Sequence, residues 1–364
     1  MFKNLNEMQK KLVKFMIIGI VVIMVLFLSI WIINLIRGGK LSYDKIENKM
    51  VKAAESYYKA NPDMLPKGET SKVELNVSIL AEKGYMKELN EYTDATCTGK
   101  VIVLKNGDNY AYIPKLSCGE EYNTKTLVET ITDTNNIVTE LDGLYEINGE
   151  YVYRGEKLNN YVSFAGKLWR ILKVTNNNEI RMIQNDTFEK VDWDNRYNAD
   201  KKSDIGINEF NVSRIEEDLE NLYNGEIFKE TDKAKLIPKQ LCIGKRKAND
   251  TSKDGSTECS VLTEEYYPIG LLQVNEYLIP SLDEGCTDST KRQCTNYNFL
   301  ANFNTNYWTL TASTDNTYDV FYIDRLPQAV NARKVSGIKL VVNVSGEINY
   351  KKGTGTLEDP YVID

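Results

Sequence analysis

The chain contains no histidine among its 364 residues. That absence removes Ser/His and Cys/His nucleophile systems, His-ligated zinc and the commonest general base. None of the six cysteines stands in a C-x-x-C pair, the spacing that thiol redox centres use. Positive charge is scarce past the start of the chain. The first 40 residues carry six Lys or Arg against one Glu, and with -7 for the whole chain, residues 41–364 carry -12. A surface of that sign repels phosphate backbones, so nucleic acid is excluded as a partner. With neither a catalytic motif nor metal-ligand spacing, the chain is expected not to be an enzyme and to carry no cofactor and no metal.

The longest apolar run is Phe15 to Ile36, FMIIGIVVIMVLFLSIWIINLI, which ends at Arg37-Gly38-Gly39-Lys40. A helix rises about 1.5 Å per residue, which is enough here for the roughly 30 Å of bilayer hydrocarbon, so the run predicts a single-pass transmembrane anchor with the lipid bilayer as its partner. Lys3, Lys10, Lys11 and Lys14 before the run outweigh Arg37 and Lys40 after it. This balance predicts a cytoplasmic tail over residues 1–14, an extracellular C-terminal ectodomain and a cell-membrane location. The run ends in Trp31, Ile32, Ile33, Asn34, Leu35 and Ile36, not in small cleavage-site residues, so the anchor is expected to remain uncleaved.

The cysteines fall into three sequence-local pairs: Cys97 with Cys118, Cys242 with Cys259, and Cys286 with Cys294. Fifteen connectivities are open to six cysteines, and local pairing as structural disulfides is the expectation. In CTGKVIVLKNGDNYAYIPKLSC, a hairpin turning between Gly107 and Asp108 sets the first pair opposite each other. The other two pairs flank polar stretches, GKRKANDTSKDGSTE and TDSTKRQ, that cannot hold themselves by apolar burial. Metal or redox chemistry is the rival reading of the six.

After the apolar run, Asp44 with Glu47 three residues on reads as the capping box of a helix whose apolar face is Ile46, Met50, Ala53, Ala54, Tyr57 and Tyr58. Asn61-Pro62 stops it, and a short helix from about Val77 to Lys83 ends at Gly84. An apolar helix, an amphipathic helix, VSILAEKGYMKEL and a cysteine hairpin together resemble the layout of type IV pilins and pseudopilins over residues 15–120. Pilin precursors are cut at a Gly-Phe junction with a Glu early in the apolar run, whereas here Lys14 precedes Phe15 and the run holds no Glu. The resemblance therefore implies a pilin-like helix-and-hairpin domain over 37–120, without the cleavage signal.

Residues 121–143, polar and Thr-rich, are expected to link this domain to a second one over 144–364. There, GLYEINGEYVYRG and NNYVSFAGKLWRILKVTNNNEIRMIQND read as strands separated by Asn-Gly, Ala-Gly and Asn-Asn-Asn turns. Ser213 with Glu216 reads as a capping box for a helix burying Ile215, Leu219, Leu222 and Tyr223 and ending at Gly225. YWTLTAST, YDVFYID, GIKLVVNVS and PYVID return to strands, so the expected class is mixed α+β. NNYVSFAGKLWRIL, GINEFNVSRIEEDLENLYN, YPIGLLQVNEYL, NYWTLTAS, SGIKLVVNV and GTGTLEDPYVI together resemble an uncharacterised domain family of Gram-positive surface proteins. That family is related in fold to formylglycine-generating enzymes and the C-type lectin-like group. The resemblance implies a C-type-lectin-like fold and no particular activity. The cysteine pair with which formylglycine-generating enzymes hold copper has no counterpart, since Trp308, Leu310 and Val341 occupy the late strands.

The candidate binding residues are Asp192, Trp193, Asp194, Arg196 and Tyr197, an aromatic platform with carboxylates and a guanidinium in a turn-rich stretch that suits a glycan or a peptide. The competing reading makes Trp193 a core plug and the charges turn caps. Trp308, alternating with Leu310, reads as core, and Asp315, Asn316 and Asp319 as a hairpin tip. Two functions are open: an anchored surface protein displaying a head for a glycan, peptide or protein, or a structural pilin-like subunit of a surface or secretion assembly.

Overall fold

The computed structural model of the chain describes residues 7–36, 40–68 and 70–363, with side chains on the first helix described from Lys14 to Ser29. That helix, α1, spans Glu7–Ile36. Among the described residues, no helix is long and apolar enough to cross a membrane. This corrects the anchor expected over Phe15 to Ile36 and the single-pass placement with a cytoplasmic N-terminus and an extracellular ectodomain. Lys3 and Arg37, on which the orientation rested, lie outside the described residues, as do the side chains of Lys10 and Lys11.

Strands outnumber helices in this mixed α/β chain, which divides into two compact units. One holds residues 1–62, 75–101 and 114–123; the other holds 63–74, 102–113 and 124–364. The division departs from the expected single boundary at 121–143. That stretch carries α4 (Leu127–Ile131), opened by a capping box of Thr126 and Glu129, and Leu127, Val128 and Ile131 are buried in the core of the larger unit.

In the smaller unit, α2 (Tyr43–Ala60) buries Ile46, Met50, Ala53, Ala54 and Tyr58 and starts at Ser42, two residues before the expected cap. Helix α3 (Val77–Glu82) ends before Gly84, whose φ of +77° suits a residue without a Cβ. Strands β1 (Lys72–Asn76), β2 (Thr98–Asn106) and β3 (Asn109–Ser117), whose residues are divided between the two units, form a three-stranded sheet in that order. Cys97 and Cys118 are bridged at the open end of the β2–β3 hairpin. Cys242 is bridged to Cys259 and Cys286 to Cys294, so all three cysteine pairs are disulfides.

From residue 124 onward the larger unit carries β4 (Gly143–Ile147), β5 (Glu150–Arg154), β6 (Tyr161–Phe164), β7 (Lys167–Val174), β8 (Glu179–Gln184) and β9 (Lys190–Asp192). After α5 (Arg214–Asn224) and α6 (Glu230–Lys233) come β10 (Ile269–Gly270), α7 (Val274–Leu278), β11 (Tyr307–Ala312), β12 (Asp319–Asp324) and β13 (Leu326–Asn331). The chain closes with β14 (Val335–Gly337), β15 (Val341–Ser345), β16 (Tyr350–Lys352) and β17 (Tyr361–Ile363). Nine strands form one sheet in the order β10-β15-β8-β7-β6-β17-β16, with β5 pairing both β4 and β7; five form a second, β13-β12-β11-β14-β9. Within these sheets β6–β17 and β11–β14 run parallel. The β4–β5 turn places Asn148 and Gly149 at φ +52° and +80°, and the β6–β7 turn places Ala165 and Gly166 at +50° and +68°. Positive φ at both central residues matches the strand twist of a two-residue hairpin. Trp169, Trp193 and Trp308 are fully buried in the one core cluster that both sheets and α5 share.

Candidate functional site

The segment 192–197 is brought together, but largely inward. Trp193 is fully buried and donates its indole N–H to the Thr309 carbonyl at 3.1 Å. Its ring therefore offers no face to a ligand, which removes the expected aromatic platform and leaves the core-plug reading. Asp194 is also fully buried, and its carboxylate accepts from the backbone N–H of Arg196, Ile207 and Arg214 at 3.3, 2.7 and 3.0 Å. Arg214 is the first residue of α5, so Asp194 caps that helix from a distance, whereas the Ser213 hydroxyl donates to the Phe210 carbonyl and leaves the first turn uncapped. Arg196 pairs with Glu217 at 2.8 Å, and Asp192 accepts from the Asn195 amide at 2.9 Å. Tyr197, 56% exposed, is the one aromatic of the segment open to solvent.

A cleft of about 780 Å³ lies elsewhere in the larger unit. Its floor is a row of registered positions across four strands of the nine-stranded sheet. Val152 on β5 pairs with Lys173 on β7, Lys173 with Arg181 on β8, and Arg181 with Asn343 on β15. All four line the cleft, as cross-strand partners on one face must. Leu172, Leu241, Ile279 and Leu310 supply apolar surface beside the row. One wall includes the Cys242–Cys259 bridge, and another is the start of α7, where Gln273 and Glu276 form a capping box.

Three ion pairs edge this floor. Lys173 meets Glu150 at 2.8 Å, Lys239 meets Glu179 at 2.6 Å, and Arg181 holds Glu276 in a two-pronged contact whose Nη2–Oε2 arm is 2.9 Å. Burial alone would raise the Glu276 carboxyl, but the Arg181 guanidinium outweighs it and holds the group below the usual carboxylate range. Arg181 is raised in turn: burial opposes its charge and Glu276 overcomes that. Asn275, 6% exposed, has an Oδ1 with no hydrogen-bond partner among the described residues. Such an atom is costly to bury unless something donates to it.

None of these residues stands out in the sequence as a binding position. The signal available was Glu179 and Arg181 flanking Ile180 in a strand, which puts two charges on one face opposite a buried one. Their partners Lys239 and Glu276 lie 60 and 95 residues away, beyond the reach of local pattern.

No family model, curated protein or solved structure matches this chain.

Proposed function

We propose that the larger unit is a binding module, not a catalyst, and that the cleft over β5, β7, β8 and β15 takes an extended peptide segment. The observation that carries this reading is the row Val152, Lys173, Arg181 and Asn343 on one sheet face of the cleft, whose two charges, Lys173 and Arg181, already have partners. Each Lys, Arg or Glu of these three pairs is neutralised by its neighbour, and Arg154 and Lys253, which also line the cleft, donate to backbone carbonyls. Gln273, Asn275 and Asn343 offer the mixed donors and acceptors that suit a peptide backbone, and the leucines suit alternate side chains. Among the described residues no aromatic ring lines the cleft, which favours a peptide over a sugar.

The test is a binding screen of the full chain against an immobilised random hexapeptide library and a glycan array, run beside Thr175→Trp, which fills the cleft from its rim. Peptides retained by the wild type and lost with a folded Thr175→Trp chain support the reading. Retention of glycans alone, or peptide binding that Thr175→Trp leaves intact, overturns it.

A further inference from the structure

Arg170 and Lys339 are two buried cations that line one pocket of about 470 Å³, and among the described residues neither forms an ion pair. Arg170 is 6% exposed and Lys339 is 1% exposed. The Arg170 Nε donates to Asn160 Oδ1 at 2.6 Å and its Nη1 to the Tyr161 hydroxyl at 3.0 Å. Its guanidinium lies 4.0 Å from the Tyr161 ring and 4.7 Å from that of Phe299. Lys339 donates to the Asn185 carbonyl and sits 4.0 Å from the Phe303 ring. All of these partners are neutral.

Such an arrangement is unusual on energetic grounds. A buried charge without a counter-charge is less favourable than a paired one, and aromatic faces offset only part of that difference. The carboxylates at the rim do not close the gap. Glu156 accepts from the Asn302 amide at 2.9 Å, and Asp186 is exposed and accepts from Asn185 at 3.2 Å. Burial pushes the Lys339 ammonium down to about 8, with Asp186 opposing the shift, so the group is still charged at pH 7. The pocket shares no lining residue with the cleft.

We propose that this pocket is a binding site for a small organic carboxylate, held between Arg170 and Lys339 with its body against Phe299 and Phe303. Arg170 retains guanidinium N–H groups that no described residue uses, and a planar carboxylate matches that fork. The ammonium of Lys339 supplies the second charge. The volume suits a group of amino-acid or monosaccharide size. Thr187, Asn304 and Thr305 add hydroxyls and an amide around the body of such a ligand. An acidic sugar and a peptide C-terminus share this chemistry, and separate probes tell the two apart.

The experiment is a calorimetric titration of the full chain at pH 7 with glucuronate and with N-acetylglycine, with N-acetylglycinamide and sodium sulfate as controls. At least one carboxylate is expected to bind, the neutral amide is not, and Arg170→Gln and Lys339→Met are each expected to weaken binding tenfold or more. Glucuronate alone binding points to an acidic sugar, and N-acetylglycine alone to a peptide end. Should either variant fail to fold, the wild-type chain still decides: the binding carboxylate must raise its melting temperature and the amide must not. Equal binding of amide and carboxylate, binding of sulfate only, or unchanged affinity in both folded variants overturns the proposal.

Discussion

Arg246 and Glu258 form an ion pair of 2.9 Å with both side chains fully buried, inside the loop that Cys242 and Cys259 close. The guanidinium also donates to the carbonyls of Asp250 and Ser252 at 2.8 and 2.6 Å, so one side chain gathers three turns of an otherwise polar loop. Glu258 in turn accepts from the Asn275 N–H at 3.0 Å, which ties the loop to the start of α7 and to a wall of the cleft. The loop has little apolar surface of its own, and it is this pair together with the bridge that fixes its shape.

Removing one member of that pair leaves the other charged and buried. Glu258→Ala is therefore expected to destabilise the chain by about 3–5 kcal/mol, and the double change Arg246→Met with Glu258→Leu by much less. Urea denaturation of the three chains checks this. A loss below about 1 kcal/mol for Glu258→Ala would mean that the bridge alone organises the loop.

The corner at 193–194 is expected to behave as framework. Trp193→Ala should cost about 3–5 kcal/mol through the cavity it leaves, and Asp194→Ala about 1–2 kcal/mol or more through the lost cap of α5. Tyr197→Ala, at an exposed position, should stay within about 0.5 kcal/mol. Thermal unfolding monitored by circular dichroism distinguishes these three outcomes, and a Trp193→Ala chain as stable as the parent would contradict the placement of the indole.

Much of the fold was legible where pattern is local. The β2–β3 hairpin, the turns at Asn148-Gly149 and Ala165-Gly166, the buried stripe Ile215, Leu219 and Leu222, and the core position of Trp308 all follow from periodicity or turn chemistry. What escaped was set by distance along the chain. The capping signal at Ser213 and Glu216 is present, yet Asp194 takes the cap from 20 residues upstream, and Glu216 instead accepts from the Tyr267 hydroxyl at 3.0 Å. A short polar stretch such as 121–143 reads as a linker because nothing in it shows that Leu127 and Ile131 will find a core contributed by later strands. The cleft illustrates the same limit: one register fixes Lys173, Arg181 and Asn343 in a row, and register is a property of pairing, not of any one strand.

Acid should weaken the chain through Glu276. Its carboxyl lies below the usual range in the folded state, so its contribution to stability is complete above the unfolded value of about 4.3 and is lost as pH falls through the lower folded value. Urea midpoints measured from pH 6 down to pH 2.5 should fall more steeply for the parent than for Arg181→Met with Glu276→Leu. Parallel profiles would show that the pair does not stay charged.

Lys339 predicts a second rise of stability with pH, at the alkaline end. Its folded value of about 8 lies below the unfolded value of about 10.4, so the unfolded chain binds the extra proton between them and stability rises with pH across that window. Without a carboxylate ligand, Lys339→Met should be the more stable chain at pH 7, with the difference shrinking by pH 10. Asp186 and Tyr307 face the same ammonium. A difference independent of pH would contradict the buried-charge assignment.

The central claim is that the sheet face formed by Val152, Lys173, Arg181 and Asn343 is where a peptide lies. The most direct measurement is a crystal structure of the full chain with the tightest hexapeptide from the library screen. The account predicts density for an extended backbone along that row, with a peptide N–H or carbonyl on the amide of Asn275 or Asn343. Peptide density at any other surface, with the cleft holding only solvent, would contradict it.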